Sequence, residues 1–283
     1  MEIRYNEPLS KHTTFKIGGP ARVMVIVRNL DELLNALEWA HREGWPTYVI
    51  GGGSNLLVHD EGFPGMVIKM ATSEYRFDNN YLIAQAGIPL ATLLMNCMER
   101  GLSGIEFLAG IPGTLGGAIY MNAGLKKITM KDVVEDVEIL NNRGEIQTLG
   151  LEELEFGYRQ SRFHNTREII LGAKLRLNPE NPETIRARVN DLIQKRRHRI
   201  PLEYPSGGSI FRNPANDYAG RLIEQCGLKG LQIGKAMISR KHANFIINLG
   251  GATFKDVWQL IEIARDKVKE QFDIELELEI EIL

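Results

Sequence analysis

Two periods of hydrophobic and polar positions run along this chain. Arg22–Val27 and Thr47–Ile50 are short β-branched runs that read as strands. Between them, Asp31–Glu43 carries Leu33, Leu34, Leu37 and Ala40 at a helical period and stops at Gly44. Met66–Lys69 and Tyr81–Ala86 read as strands, and Pro89–Arg100 as an apolar helix ended by Gly101. Val133–Leu140 and Glu145–Leu149 flank the turn Asn141-Asn142-Arg143-Gly144, a hairpin pattern. Ile169–Leu177 predicts another strand, and Pro182–Arg199 a helix with a basic end, before Pro201 and Pro205 break the pattern. Tyr218–Cys226 predicts a short helix and Asn244–Leu249 a strand. Thr253–Phe272 predicts a long helix with Val257, Leu260, Ile261, Ala264 and Val268 on one side. Ile274–Leu283 alternates, which predicts one strand with Glu275, Glu277, Glu279 and Glu281 on a single face.

Two glycine stretches interrupt these periods. Ala109–Gly124 (AGIPGTLGGAIYMNAG) is too apolar for a solvated linker and too rich in glycine for a regular element, although Ala118–Met121 fits a short buried helix or strand. Its main-chain N–H groups suit a phosphate cradle; a tight core crossing is the alternative. Gly51-Gly52-Gly53-Ser54-Asn55 follows the second strand of a β-α-β pattern. It is not the dinucleotide fingerprint, because Leu56 stands where the third glycine belongs, and no P-loop sequence occurs.

Composition narrows the classes. With 283 residues, 43% hydrophobic and 25% charged, the chain has an ordinary globular balance. A net charge of −2 predicts no nucleic-acid affinity. No apolar run approaches the roughly 18 residues of a membrane span. Met1-Glu2-Ile3-Arg4 leads into polar sequence rather than a signal region. Cys97 and Cys226 match no CxxC or zinc spacing, and the six histidines are scattered, so no metal site is expected and a reducing, cytoplasmic setting is. No GxSxG elbow occurs.

Three places offer chemistry. Arg159 in Tyr158-Arg159-Gln160-Ser161 suits a carboxylate or phosphate, or is a surface arginine. Ser209 follows two glycines, as a reactive hydroxyl or a turn cap. Glu279 lies on the acidic face of the last segment, in a site or on a solvated edge. The run Lys195–Arg199 favours the helix dipole and also suits a diphosphate.

Taken together, these pieces resemble the UDP-N-acetylenolpyruvoylglucosamine reductase family. The resemblance rests on HTTFKIGGPA at His12–Ala21, GGGSNLLV at Gly51–Val58, GIPGTLGGAIYMNAG at Gly110–Gly124 and FGYRQSRF at Phe156–Phe163. It continues through IPLEYPSGGSIFRNP at Ile200–Pro214, HANFIIN at His242–Asn248 and LELEI at Leu276–Ile280. It implies an α+β fold: a two-subdomain FAD-binding fold of the vanillyl-alcohol-oxidase type plus a C-terminal α+β substrate-binding domain. The expected boundaries are 1–70 and 71–199 for the FAD subdomains, 200–272 for the substrate domain and 273–283 for a strand returning to the active site.

The resemblance also implies roles. FAD is held non-covalently by Gly51, Gly52, Gly53, Ser54, Asn55 and Leu56, by Gly110, Pro112, Gly113, Thr114, Gly116, Gly117, Ala118, Asn122 and Gly124, and by Arg196. NADPH is the co-substrate, and UDP-N-acetylglucosamine enolpyruvate is reduced to UDP-N-acetylmuramate. Hydride passes through flavin N5 to C3 in ping-pong fashion, with protonation at C2. Arg159, Ser209 and Glu279 are the implied catalytic residues; Tyr158, Arg199, Gly208 and Asn213 are implied to contact substrate. A permanent cation at Arg159 stabilises the developing enolate, Ser209 supplies the proton, and Glu279 helps only if protonated, which a dry pocket favours, or hydrogen-bonded there. The alternatives are a flavin oxidase of the same fold and a non-catalytic sugar-nucleotide-binding module. The sequence does not fix the oligomeric state, with a monomer slightly favoured.

The chain departs from the family pattern at Leu278, where proline is usual, which opens the register of Glu279 against Glu277. Arg199 and Arg212 replace lysines, and Leu125-Lys126-Lys127 follows Gly124 in place of Ala-Tyr-Gly. Little intervenes between Phe163 and Ile169, as in the shorter type of the family that lacks a tyrosine loop.

Overall fold

The computed structural model describes residues 1–125 and 128–283; Lys126 and Lys127, the core of the departure after Gly124, lie outside the described residues. The first strands form a four-stranded sheet in the order Glu2–Pro8, Pro20–Val27, Phe63–Met70, Thr47–Ile50. Helix α1 (Leu30–Arg42) starts where the Asn29 side chain accepts the Glu32 N–H at 2.9 Å. Its buried stripe is Leu33, Ala36 and Ala40, whereas Leu34, expected inside, is exposed. The stripe runs i, i+3, i+7, and Leu34 lies one position off it.

The chain divides into two compact units, each assembled from several stretches. The first comprises Met1–Ile3, Val25–Gly52 and Ile68–Arg196. Its five-stranded antiparallel sheet has the order Ile146–Gly150, Val134–Leu140, Ile169–Arg176, Tyr81–Gln85, Tyr75–Asp78. The predicted hairpin is the pair Val134–Leu140 and Ile146–Gly150. Its turn closes with the Gly144 N–H donating to Asn141 O. Period-two alternation puts Leu82, Ala84, Val137, Ile139, Ala173 and Leu175 on one face. Helix α2 (Leu90–Glu99) packs Leu90, Leu93, Leu94 and Cys97 into the same core. Helix α3 (Leu115–Tyr120) resolves the helix-or-strand alternative for the apolar end of the glycine stretch and begins three residues earlier than Ala118. Helix α4 (Pro182–Arg199) has the predicted bounds and buries Ile185 and Val189.

The second unit comprises Arg4–Met24, Gly53–Val67 and Arg197–Leu283. It holds α5 (Ala219–Gln225), α6 (Phe254–Phe272) and a three-stranded sheet of Gln232–Ile233, Ala236–Ile238 and Ile246–Asn248. A capping box starts α6: Thr253 Oγ1 accepts the Asp256 N–H and Asp256 Oδ2 accepts the Thr253 N–H, both at 3.1 Å. The five expected α6 residues are buried, against Phe15, Ile17, Leu57, Ile210 and Phe211 among others.

The C-terminal strand differs from expectation. Of Ile274–Leu283, only Glu281–Ile282 forms a strand, parallel to Leu56–Leu57, and Leu278 makes a single bridge to Phe211. The alternation survives in burial, with Leu276 and Ile280 inside and Glu275 and Glu277 exposed. What is missing is a ladder partner of matching length: pairing passes from Phe211 to Leu56–Leu57 within four residues. No described helix is long and apolar enough to cross a membrane.

Candidate active site

In the first unit, the glycine turn after Thr47–Ile50 meets the glycine stretch before α3. A Cβ on Gly52 would lie 2.8 Å from the Gly113 Cα, and one on Gly51 would overlap Thr114 Oγ1, so only glycine allows this backbone approach. Thr114 is buried, directly precedes α3 and caps nothing; its Oγ1 has no hydrogen-bond partner among the described residues. The Nε of Arg196, on the last turn of α4, is likewise buried and unpartnered. A Cβ on Gly110 would come 3.1 Å from the Arg196 Cδ. Burial first, and then the positive charge of Arg159, push Arg196 below the usual arginine range. Thr114 Oγ1 beside Gly51 and Arg196 Nε beside Gly110 are each a buried polar atom with no partner among the described residues, and Arg196 also feels the second cation, a chemistry that suits an anion.

Not every glycine there has a donor to offer. The Leu115 and Gly116 N–H groups go to Ile88 O at 3.0 Å and Ala86 O at 2.8 Å, seating α3 on the chain after Tyr81–Gln85. Asn122 is also committed. It is buried in a left-handed conformation (φ 41°), its Nδ2 donates to Gly157 O at 2.8 Å and its Oδ1 accepts the Lys131 N–H at 3.0 Å. Pro112 and Gly117 are exposed, and Ala118 is buried within α3.

Arg159 sits on a two-residue hairpin, with Gly157 N–H donating to Gln160 O at 2.9 Å and Gln160 N–H donating to Gly157 O at 3.3 Å. Its φ is +54°, a conformation that favours glycine, and Ser161 anchors the turn through Oγ to Tyr120 O at 2.6 Å. The guanidinium donates to Gly124 O at 3.1 Å and leans over the exposed Tyr158 ring, 5.4 Å from its centroid. The forked carboxylate pair in this segment belongs instead to Arg162, which grips Glu168 through Nε at 3.0 Å and Nη2 at 2.9 Å.

In the second unit, Gly53 takes φ +62° and Thr14 N–H donates to its carbonyl at 3.1 Å. Ser54 is half-buried and Leu56 buried in the short parallel pair. Ser209 follows Gly208 (φ +82°), is half-buried, and its hydroxyl makes no hydrogen bond among the described residues. The backbone just after it is clamped by Asn244. Asn244 O accepts Ile210 N–H at 2.9 Å, its Oδ1 accepts Phe211 N–H at 2.9 Å and its Nδ2 donates to Phe211 O at 2.8 Å. Sequence reasoning missed Asn244; the available signal was a buried amide inside the apolar HANFIIN run.

Glu279 is brought to this same backbone, its N–H donating to Ile210 O at 2.8 Å, and it is half-buried. Glu277 differs: its carboxylate is 77% exposed, 3.9 Å from Arg212. Asn213 Oδ1 accepts the Ala219 N–H at 3.1 Å at the start of α5, while Arg199, at the end of α4, is exposed. The structure thus gathers Ser209 and Glu279 through Ile210 in one unit. It gathers Arg159, Arg196, Asn122 and Gly124 in the other.

Two family models match the chain. The FAD binding domain family model matches residues 21–150. The model described as UDP-N-acetylenolpyruvoylglucosamine reductase, C-terminal domain, matches residues 200–283. A UDP-N-acetylenolpyruvoylglucosamine reductase of Caldanaerobacter subterraneus subsp. tengcongensis is 45% identical over 283 residues, covering 100% of this chain and 94% of that protein. One from Moorella thermoacetica is 44% identical, covering 100% of this chain and 93% of its own. The crystal structure of the reductase from Thermus caldophilus superposes with a TM-score of 0.87 at 39% identity, covering 100% of this chain and 99% of that one.

Proposed function

The chain belongs to the UDP-N-acetylenolpyruvoylglucosamine reductase family, and from that premise we propose how its residues divide the work of the reaction. The enzyme is an NADPH-dependent flavoprotein oxidoreductase that reduces UDP-N-acetylglucosamine enolpyruvate to UDP-N-acetylmuramate, in peptidoglycan precursor synthesis. FAD, when bound, supplies the carrier that takes hydride from NADPH and passes it to the vinyl carbon C3 of the substrate.

The observation that carries the cofactor assignment is the buried, unpartnered Thr114 Oγ1 beside the Gly51–Gly52 and Gly113 approach. Together with Arg196 Nε it provides a hydroxyl and a cation for the FAD diphosphate. Gly117, exposed in α3, is assigned to the cofactor as well. Gly116 and Asn122 enter it as packing and positioning residues, since their polar groups are already spent within the protein.

Arg159 supplies the cation that holds the charge developing on C2 and the carboxylate once hydride reaches C3. Ser209 delivers the proton to C2: its hydroxyl makes no hydrogen bond among the described residues, and the basic carbanion drives the transfer strongly. The backbone bond from Glu279 N–H to Ile210 O supports Glu279, rather than the exposed Glu277, as the carboxyl that works with Ser209. Tyr158, Arg199, Gly208 and Asn213 are assigned to the sugar nucleotide, and the enzyme to the cytoplasm. Incubation with NADPH and the enolpyruvyl sugar nucleotide should consume both in equal amounts and yield UDP-N-acetylmuramate by mass spectrometry. NADPH oxidation that yields only peroxide would assign the chain to flavin oxidase chemistry instead.

A further inference from the structure

Asn55 stands in the glycine turn assigned to the cofactor, yet two of its groups face elsewhere. Its Nδ2 donates to Glu279 O at 2.9 Å, and its own carbonyl accepts the Glu281 N–H at 2.8 Å. The two bonds straddle Ile280, whose side chain is buried. The regular parallel ladder begins only at Glu281, opposite Leu56. Asn55 therefore acts as an added ladder rung: its side-chain amide takes the carbonyl of the residue just before regular pairing starts. On the other side, Glu279 N–H is held by Ile210 O, whose own amide is held by Asn244. Both main-chain polar groups of Glu279 are thus fixed, one toward the Ser209 segment and one by Asn55.

We propose that Asn55 is a positioning residue for Glu279, acting on the protonation half of the reaction through that residue rather than on the cofactor through its side chain. The proposal rests on the assignment of Glu279 given above. The physical case is that Glu279 lies on an irregular segment with no long ladder, so loss of one rung lets its main chain drift. A misplacement of about 1 Å at a reacting group costs on the order of 10²-fold in rate.

The test uses the full chain loaded with FAD, with Asn55→Ala (removing the donor) and Asn55→Asp (isosteric, replacing the donor by a charged acceptor), each alone and combined with Glu279→Gln. Flavin reduction by NADPH and reoxidation by the enolpyruvyl sugar nucleotide are timed separately, without oxygen. The expected result is a reoxidation rate at least about tenfold lower, a loss clearly larger than that in flavin reduction, and little further loss when Glu279 is already Gln, since coupled residues are non-additive. Amide exchange in the FAD-free chain gives an independent readout: Glu279–Ile282 should exchange faster in Asn55→Asp, with α6 unchanged. Additive losses in the double variant, or equal losses in both half-reactions, would overturn the coupling. A wild-type enzyme whose reduced flavin is not reoxidised by the sugar nucleotide would instead overturn the assignment on which the coupling rests.

Discussion

Replacing Arg159 separates a stability effect from a catalytic one, because the residue's backbone and its guanidinium make opposite demands. At φ +54° an L side chain pays for a left-handed conformation, roughly 1–2 kcal/mol. Arg159→Gly relieves that cost, while Arg159→Ala keeps it; both remove the donation to Gly124 O. Glycine gives back about 0.4–1 kcal/mol through the greater freedom of the unfolded chain. The glycine variant is therefore expected to be more stable than the alanine variant by about 0.5–1 kcal/mol, or about 1–4 °C in Tm for a chain of this size. The two variants should be equally poor in reoxidation of reduced flavin by the enolpyruvyl sugar nucleotide, because both lack the cation. Loss of one preorganised group of this kind costs about 2.7–4 kcal/mol, or 10²–10³ in rate. The assays are parallel thermal melts and anaerobic stopped-flow absorbance. An alanine variant at least as stable as the glycine variant would refute the backbone argument. Reoxidation within threefold of wild type in both would refute the charge-stabilising role.

Thr114→Val replaces a buried unpartnered hydroxyl by a methyl group of similar shape. It should raise the melting temperature of the FAD-free chain, gaining about 1–3 kcal/mol, while weakening FAD at least about tenfold by fluorescence titration; a variant that binds FAD as well as wild type would remove Thr114 from the cradle. Burial pushes the Cys97 thiol up to about 12, so a thiol reagent at pH 8 should label Cys97 only after denaturation; native labelling there would contradict its place in the α2 core. Burial also lowers the pKa of His242 below its ordinary 6.5, and its Nδ1 accepts the Asn244 N–H at 3.2 Å. The unfolded chain thus takes up a proton before the folded one, and stability should fall as the pH drops below about 6.5. His242→Gln should flatten that limb of a denaturation series, and an unchanged slope would show that His242 does not contribute.

The long helices were legible because each repeats its apolar face for several turns: α4 matches its expected bounds and α6 its buried stripe. The first strand, Glu2–Pro8, was not, because EIRYNEP shows little apolar alternation and is made a strand by its neighbour in the sheet. The terminal segment misled for the opposite reason. Its alternation is almost perfect, but a strand also needs a partner, and partner length is a property of the fold. The candidate site residues come from resemblance, not from residue pattern. The division of labour among the asparagines was not legible either way. Asn55, Asn122 and Asn244 each spend an amide on a main-chain carbonyl distant in sequence, and no local pattern says which carbonyl will be near. The left-handed turn at Arg159 is hidden similarly, since Tyr-Arg-Gln carries none of the glycine or asparagine that marks such turns.

The most direct test follows the flavin absorbance of the purified, FAD-loaded protein through two anaerobic additions. The visible band should bleach when NADPH is added and return when UDP-N-acetylglucosamine enolpyruvate follows, with Ser209→Ala bleaching normally but recovering much more slowly. Bleaching without any recovery on the sugar nucleotide, or equal slowing of both steps in Ser209→Ala, would contradict the account.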